Sequence, residues 1–375
     1  WWLGKKKGKE AYIVPTVVGD HIEYSIGHDP KRAPTKQDDG TISGHRGAIC
    51  LACESVMSVS FIRECGCDGS MGSQMVAVVA EGNRERIYLA PTEDQVKVAV
   101  VDRKADVPVG RIAENPRWFS TPMYGMDTFE KLFTSRQLTA LTTFSDLVSE
   151  ARERVFRDAL AGGVSEGERL EVGGVGAAAY ADAVATYLGM AVDRISAVNC
   201  SLARWNAAPS KESVTDVFSR QALPMVWDYA EGNPFQWGPA NLGWSIEWVS
   251  GALSRLPAHD NVKVFQADAA SRDYHDAVIS TDPPYYDNIG YSDLSDFFYV
   301  WLRRSLKDVH PSLFSTMLVP KAEELVANPY RHGGKDGARD FFEDGFRTVF
   351  ANARRSANPD YPMTVYYAFK QTETN

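Results

Sequence analysis

Three hydrophobic rhythms follow one another along the 375-residue chain. From Trp1 to about Asp106, short alternating or β-branched runs (AYIVPTVVG, QMVAVVA, RIYLA, VKVAVV) are separated by Gly, Pro, Asn and Asp, the pattern of strands and turns. A polar stretch from Lys31 to Gly44 is expected to be a loop. Over residues 107–221 the period lengthens. Leu138, Leu141, Phe144, Val148, Ala151 and Val155 recur every three or four residues behind Thr134 or Ser135 as N-cap, which predicts a long helix with one apolar face, ended at Gly162-Gly163. AAAYADAVATYLGMAVDRI predicts a second helix, with Tyr180, Val184, Leu188 and Val192 along one side.

Over residues 222–375 the two rhythms mix. VKVFQADA (Val262 to Ala269) and HDAVISTD (His275 to Asp282) read as strands ending in acids, YSDLSDFFYVWLRRSL and DFFEDGFRTVFANARR as helices, and PMTVYYAFK as a further buried strand. Such alternation predicts an α/β fold, a mostly parallel sheet with helices on its faces and ligands at the carboxyl ends of the strands. Asp268 and Asp282 both stand at such ends.

Composition narrows the picture. A net charge of −9 argues against coating nucleic acid through bulk charge, although Trp301 to Arg355 carries ten Lys/Arg against seven Asp/Glu. No apolar run approaches the ~18 residues of a membrane helix. The opening WWLGKKKGKE has neither an initiating Met nor a leader pattern, and YYAFKQTETN stops just after a strand-like run; both read as a piece of a longer, cytoplasmic protein. Cys50, Cys53, Cys65 and Cys67 fall within eighteen residues, a spacing that suggests metal or reduced thiols more than disulfides. Cys200, alone in a helix-rich stretch, reads as a small buried apolar residue.

The stretch DAVISTDPPYYDNIGY carries the most chemistry. Asp282-Pro283-Pro284-Tyr285 resembles the Asp-Pro-Pro-Tyr signature of S-adenosylmethionine-dependent amino-methyltransferases acting on adenine N6 or cytosine N4. An exocyclic amine is a poor nucleophile because its lone pair is delocalised into the ring. Asp282 could accept one N–H and the Pro283 carbonyl the other, which turns the lone pair out of the ring plane. Two prolines, each with φ near −65°, place those acceptors before substrate arrives. Tyr285 offers a face on which a flipped base can stack. The plainer reading is a stiff turn that ends a strand. Asp268, closing the preceding strand, is the candidate for the cofactor's adenine amino group, or else an ordinary cap of the next turn. Tyr286, Asn288 and Tyr291 could line a base pocket or belong to the core. Arg303, Arg304 and Lys307, and the loop carrying Arg331 and Lys335, are candidate phosphate contacts or solvated surface.

DPPYYDNIGYSDLSDFFYVWLRRSL with PKAEELVANPYRHGGK resembles the zinc-ribbon-containing adenine-specific DNA methylases with a DUF1156 region, as do FTSRQLTAL, GGVGAAAYADAVATYLGMAVDR and MVWDYAEGNPF. The resemblance covers most of the chain. It implies a Rossmann-like S-adenosylmethionine-dependent methyltransferase sheet in a partial catalytic region (222–375), a β-rich zinc-ribbon-like module (1–106) and a helical connecting region (107–221). It also implies N6-adenine methylation of DNA and partners in restriction or phage defence. The family's DPFAGGG and DLNP-like cofactor segments have no counterpart here, so cofactor binding by this chain is expected to be weak or absent. Asp228 or Glu231 of WDYAEGNPF stands as a faint ribose-ligand candidate, and Gly173-Gly174-Val175-Gly176 as a weak phosphate-loop candidate. Zinc, where bound, would take Cys50 and Cys53, with Cys65 and Cys67 as possible third and fourth ligands. Two other functions stay open: amino-methylation of RNA, and a nucleic-acid-binding subunit of a defence or restriction system whose catalysis has lapsed.

Overall fold

The computed structural model describes residues 1–35, 42–43, 47–256, 264–286 and 289–367. The architecture is mixed α/β, with seven α-helices among the described residues and several small sheets. The chain divides into two compact units, Trp1–Ser254 with Phe297–Met317, and Arg255–Asp296 with Leu318–Asn375. No helix among the described residues is long and apolar enough to cross a membrane.

The first unit opens with an antiparallel meander of Trp2–Gly4, Ala11–Val18 and His21–Gly27. Val18 pairs with His21 across Gly19, whose φ of +63° suits the tight turn. Ala11 and Ile13 join Leu3 and Tyr88 in a small core, with Trp1, Tyr24 and Trp205 packed against it. A second trio, Ile42–Ser43, Gly47–Ile49 and Val56–Met57, leads into helix α1 (Val59–Cys67), and Val78–Glu81 pairs with Arg86–Leu89 as a hairpin. Of the expected loop from Lys31 to Gly44, residues 36–41 and 44 lie outside the described residues.

One expected strand is a helix instead. In VKVAVV the first three residues close α2 (Glu93–Val98), because Thr92 and Gln95 form a reciprocal capping box that satisfies two backbone N–H groups at once. That local closure overrides the β-preference of valines with no buried face, as Val98 and Val100 remain largely exposed.

The predicted long helix is α3 (Ser135–Ala161), with Thr134 as N-cap in a capping box with Gln137, and Gly162 and Gly163 at its end. Leu138, Leu141, Phe144 and Val148 are buried as the spacing requires. Helix α4 (Ala177–Ser196) buries Val192 of the expected side and half-buries Val184 and Leu188, but Tyr180 is exposed, and Ala177, Ala181, Ala185 and Ile195 complete the inward face. Small side chains bring backbones together; a Cβ on Gly189 would stand 2.9 Å from three atoms of Leu306. Helix α5 (Leu242–Leu253), capped by Asn241, follows. Helix α6 (Tyr291–Leu306) gives its first six residues to the second unit and the rest to the first, where Phe297 and Trp301 are almost fully enclosed.

In the second unit Ser280–Thr281 pairs in parallel with Thr364–Val365, and helix α7 (Lys335–Ser356) supplies Ala338 and Phe342 to a cluster with Ala327 and Phe346. The expected Rossmann-like sheet is not present among the described residues. Val264 to Ala269 forms no strand, while Val262 and Lys263 of that run lie outside the described residues, as do Ala368 to Lys370 of the last one. A parallel strand draws its neighbours from crossovers rather than from an adjacent hairpin, and here one crossover delivers one partner. Val264, Phe265 and Val278 are correspondingly exposed.

Candidate functional site

Asp282 follows the short strand Ser280–Thr281, held by Tyr366 N–H donating to the Thr281 carbonyl at 2.8 Å. Its side chain is exposed and makes no ion pair among the described residues. Prolines 283 and 284 cannot donate to a ladder, so the strand stops and the chain turns. Tyr285 is half-buried. Its hydroxyl donates to Asp282 Oδ1 at 3.3 Å, and its ring meets Tyr367 edge to face at 5.1 Å.

Tyr286 is tied down on both sides of its backbone. Its N–H donates to Tyr367 Oη at 3.1 Å, its carbonyl accepts from Ala327 N–H at 2.8 Å, and its ring packs on Phe342 at 5.1 Å. Turn, strand pair and α7 thus fix one another. Asn288 lies outside the described residues. Tyr291 begins α6 and is half exposed, and Lys335 is exposed in the first turn of α7.

Arg331 is placed differently from a phosphate contact on an open face. Its guanidinium donates to Asp293 at 2.7 Å, to Glu324 at 3.1 Å and to the Lys321 carbonyl at 2.9 Å, with its side chain 18% exposed. Beside it, Lys321 pairs with the buried Asp296 at 2.7 Å, and Glu324 accepts from Ser292 N–H at 2.8 Å and from its hydroxyl at 2.5 Å. Burial raises the pKa of both Asp293 and Asp296; Arg331 offsets this only partly at Asp293, and Lys321 only partly at Asp296. Sequence reasoning missed this cluster. Its signal was present as two acids three residues apart on the apolar side of YSDLSDFF, a placement that makes sense only with buried cations opposite.

Other candidates are engaged elsewhere. Asp268 caps its own turn, accepting from Ala270 N–H and from Ser271 Oγ, each at 2.9 Å. Arg304 pairs with Asp146 at 2.7 Å and Asp106 at 2.9 Å, and Arg303 donates to the Thr316 carbonyl. Glu231 pairs with Arg136. The Gly173–Gly176 segment is closed by its own chain. Ala177 and Ala178 donate to the carbonyls of Ser165 and Glu166, and a Cβ on Gly174 would lie 2.2 Å from the Glu168 carbonyl oxygen, so the start of α4 has no open amides to offer a phosphate there.

The four cysteines do not meet; among the described residues no three Cys, His, Asp or Glu side chains gather as metal ligands. Cys50-Leu-Ala-Cys53 folds as a tight turn, with Glu54 at φ +59° and Ser55 Oγ 2.9 Å from Cys53 Sγ. Hydrogen bonding from Ser55, and then from Cys50, lowers the Cys53 pKa. Cys65 and Cys67 lie on α1 for a different reason. A Cβ on Gly66 between them would stand 2.6 Å from the Tyr124 carbonyl oxygen, and one on Gly125, φ +80°, 2.2 Å from the Gly66 carbonyl oxygen. The Cys-Gly-Cys spacing serves this close backbone crossing, and Cys67 Sγ points to the Met123 carbonyl at 3.7 Å. Cys50 and Cys53 therefore stand together, and Cys65 and Cys67 are not with them. Cys200 is fully buried as expected, which pushes its pKa up to about 12.

No protein-family model, curated protein or solved structure matches the chain.

Proposed function

We propose that the turn Asp282–Tyr285 is the amino-group acceptor site of a methyltransferase acting on adenine N6 in DNA. The observation that carries the reading is an exposed carboxylate with no ion pair among the described residues, at the end of a strand, followed by two prolines and a tyrosine whose ring is steadied by Tyr367. Asp282 accepts one N–H of the exocyclic amine and the Pro283 carbonyl accepts the other. Holding both hydrogens favours the pyramidal amine and frees its lone pair for an electrophilic methyl group. Tyr285, half-buried beside the carboxylate, supplies the surface for the base. Prolines and the Tyr286 anchors keep these acceptors from reorganising during the reaction.

S-adenosylmethionine is the donor the sequence resemblance implies. The described residues do not fit a pocket for it: Asp268 serves its own turn and the Gly173–Gly176 loop is filled by backbone. The mechanism therefore stops at the amine. The test is transfer of a tritiated methyl group from S-adenosylmethionine to duplex DNA, and to a matched RNA, by the full-length protein. Asp282→Ala is expected to lower DNA methylation by about a thousandfold. Equal incorporation by both proteins would remove Asp282 from the chemistry, and preferential labelling of RNA would change the substrate.

A further inference from the structure

A concavity lies far along the sequence from the Asp-Pro-Pro-Tyr turn, in the β-rich part of the first unit, with a volume of about 260 Å³. It forms where the hairpin Val78–Glu81/Arg86–Leu89 meets the chain near Lys6 and near Lys211. Five cations and three carboxylates line it, in a protein whose net charge is −9. Two of the acids are already engaged: Lys9 pairs with Glu85, and Gln236 donates to Glu81. Lys6, Arg84, Arg86 and Lys211 make no ion pair with a carboxylate among the described residues, and Glu212 is the one acid left facing them.

Three further features point into the same space. Tyr88 lines the cavity with only 7% of its surface exposed, and its buried hydroxyl makes no well-formed hydrogen bond. Burial first, and then the neighbouring Glu212 carboxylate, raise its pKa, so the phenol keeps its proton and remains a donor. Position 4 is glycine where a Cβ would stand 2.8 Å from Tyr88 Oη and 3.0 Å from Glu212 Oε1, so the missing side chain makes room for the phenol and the carboxylate beside the cavity. Arg84 and Glu212 both hold positive φ, +60° and +40°, the uncommon conformation for such residues.

We propose that this cavity is a binding site for phosphate oxyanions. Converging cations without partners repel one another, and an anion relieves that repulsion while accepting from the two guanidinium forks and the phenol. Apart from Gly82 and the largely buried Tyr88, every lining residue is charged, so no broad aromatic or aliphatic face is open. The ligand is therefore gripped by its phosphates and not by a base or an acyl chain. Either a free diphosphate or the backbone of a nucleic acid carries that chemistry. The site stands apart from the methyl-acceptor reading and does not depend on it.

Calorimetric titration of the 375-residue chain with pyrophosphate, and separately with a short DNA duplex, tests it. Saturable pyrophosphate binding is expected, weakening with added salt. Lys6→Gln combined with Arg86→Gln should weaken it by about tenfold, and Tyr88→Phe, which keeps the ring beside Trp205, by about threefold. Duplex binding that pyrophosphate displaces would identify a nucleic-acid backbone as the source; pyrophosphate binding alone would identify a free phosphate compound. Absence of saturable pyrophosphate binding by the unaltered chain, or affinities unchanged in both variants, would overturn the proposal.

Discussion

In the helical region Asp182 of α4 accepts from Arg152 and Arg169, each at 2.6 Å, and from Leu170 N–H at 3.2 Å. In the second unit Asp293 and Asp296 stand three residues apart on one helical turn. All three side chains are nearly inaccessible. Burial pushes the Asp182 pKa up, but Arg169 and Arg152 together outweigh it and the pKa ends below the usual value; Asp293 and Asp296 end above theirs. The difference lies in the number of cations per acid. Two guanidinium groups on one carboxylate make a rigid pin between α3, α4 and the chain before α4. One cation per acid, with a second acid nearby, leaves a cluster that holds a proton more readily.

The largest expected effect breaks the first member of this pair. Asp182→Ala leaves Arg152 and Arg169 facing each other unpaired, and should cost about 3 kcal/mol in chemical denaturation. Asp293→Asn should change stability by no more than about 1 kcal/mol, because Glu324 still holds Arg331 and burial already disfavours the ionised Asp293 carboxylate. Equal losses would dissolve the distinction. Gly66→Ala tests packing without charge: with the backbone of Tyr124 against it, the helix α1 crossing should lose about 2 kcal/mol.

Acid should separate the two regions in opposite directions. A folded pKa below the unfolded value means that the Asp182 contribution is present above pH about 3.9 and is lost as pH falls through the folded pKa. A folded pKa above it means that Asp293 and Asp296 cost stability at neutral pH, and that this cost fades as pH falls toward about 3.9. Hydrogen exchange, corrected for intrinsic rates, should therefore slow at the start of α6 as pH drops from neutral, while α3 and α4 open only below about pH 4. The smallest effect is expected at the turn itself. Asp282→Asn should change stability by no more than about 0.5 kcal/mol, since the carboxylate is exposed, its one hydrogen bond, from Tyr285, is long, and Asn can still accept it.

The helices were legible because their signals are local. Thr134 with Gln137, the apolar spacing of α3 and the glycines after it lie within one stretch of chain, and the structure forms them there. The same kind of signal, Thr92 with Gln95, was overlooked beneath a run of valines. Of the candidate site, the turn could be located from its prolines, and Asp282 and Tyr285 stand together within it. Tyr367, which steadies Tyr285 and bonds to Tyr286, is more than eighty residues away and carried no local mark.

By itself the sequence determined where the long helix α3 begins and ends, where the strand before Asp282 stops, and that Cys200 is buried. Capping, periodicity and proline geometry act over a few residues and need no distant partner. Tertiary structure alone decided that Arg331 turns inward, that Cys65 and Cys67 part from Cys50 and Cys53, that α4 buries its small side, and that among the described residues the parallel pairing stops at two strands. Each of these depends on which remote group arrives to satisfy a charge, admit a backbone or complete a ladder, and that information is distributed along the chain.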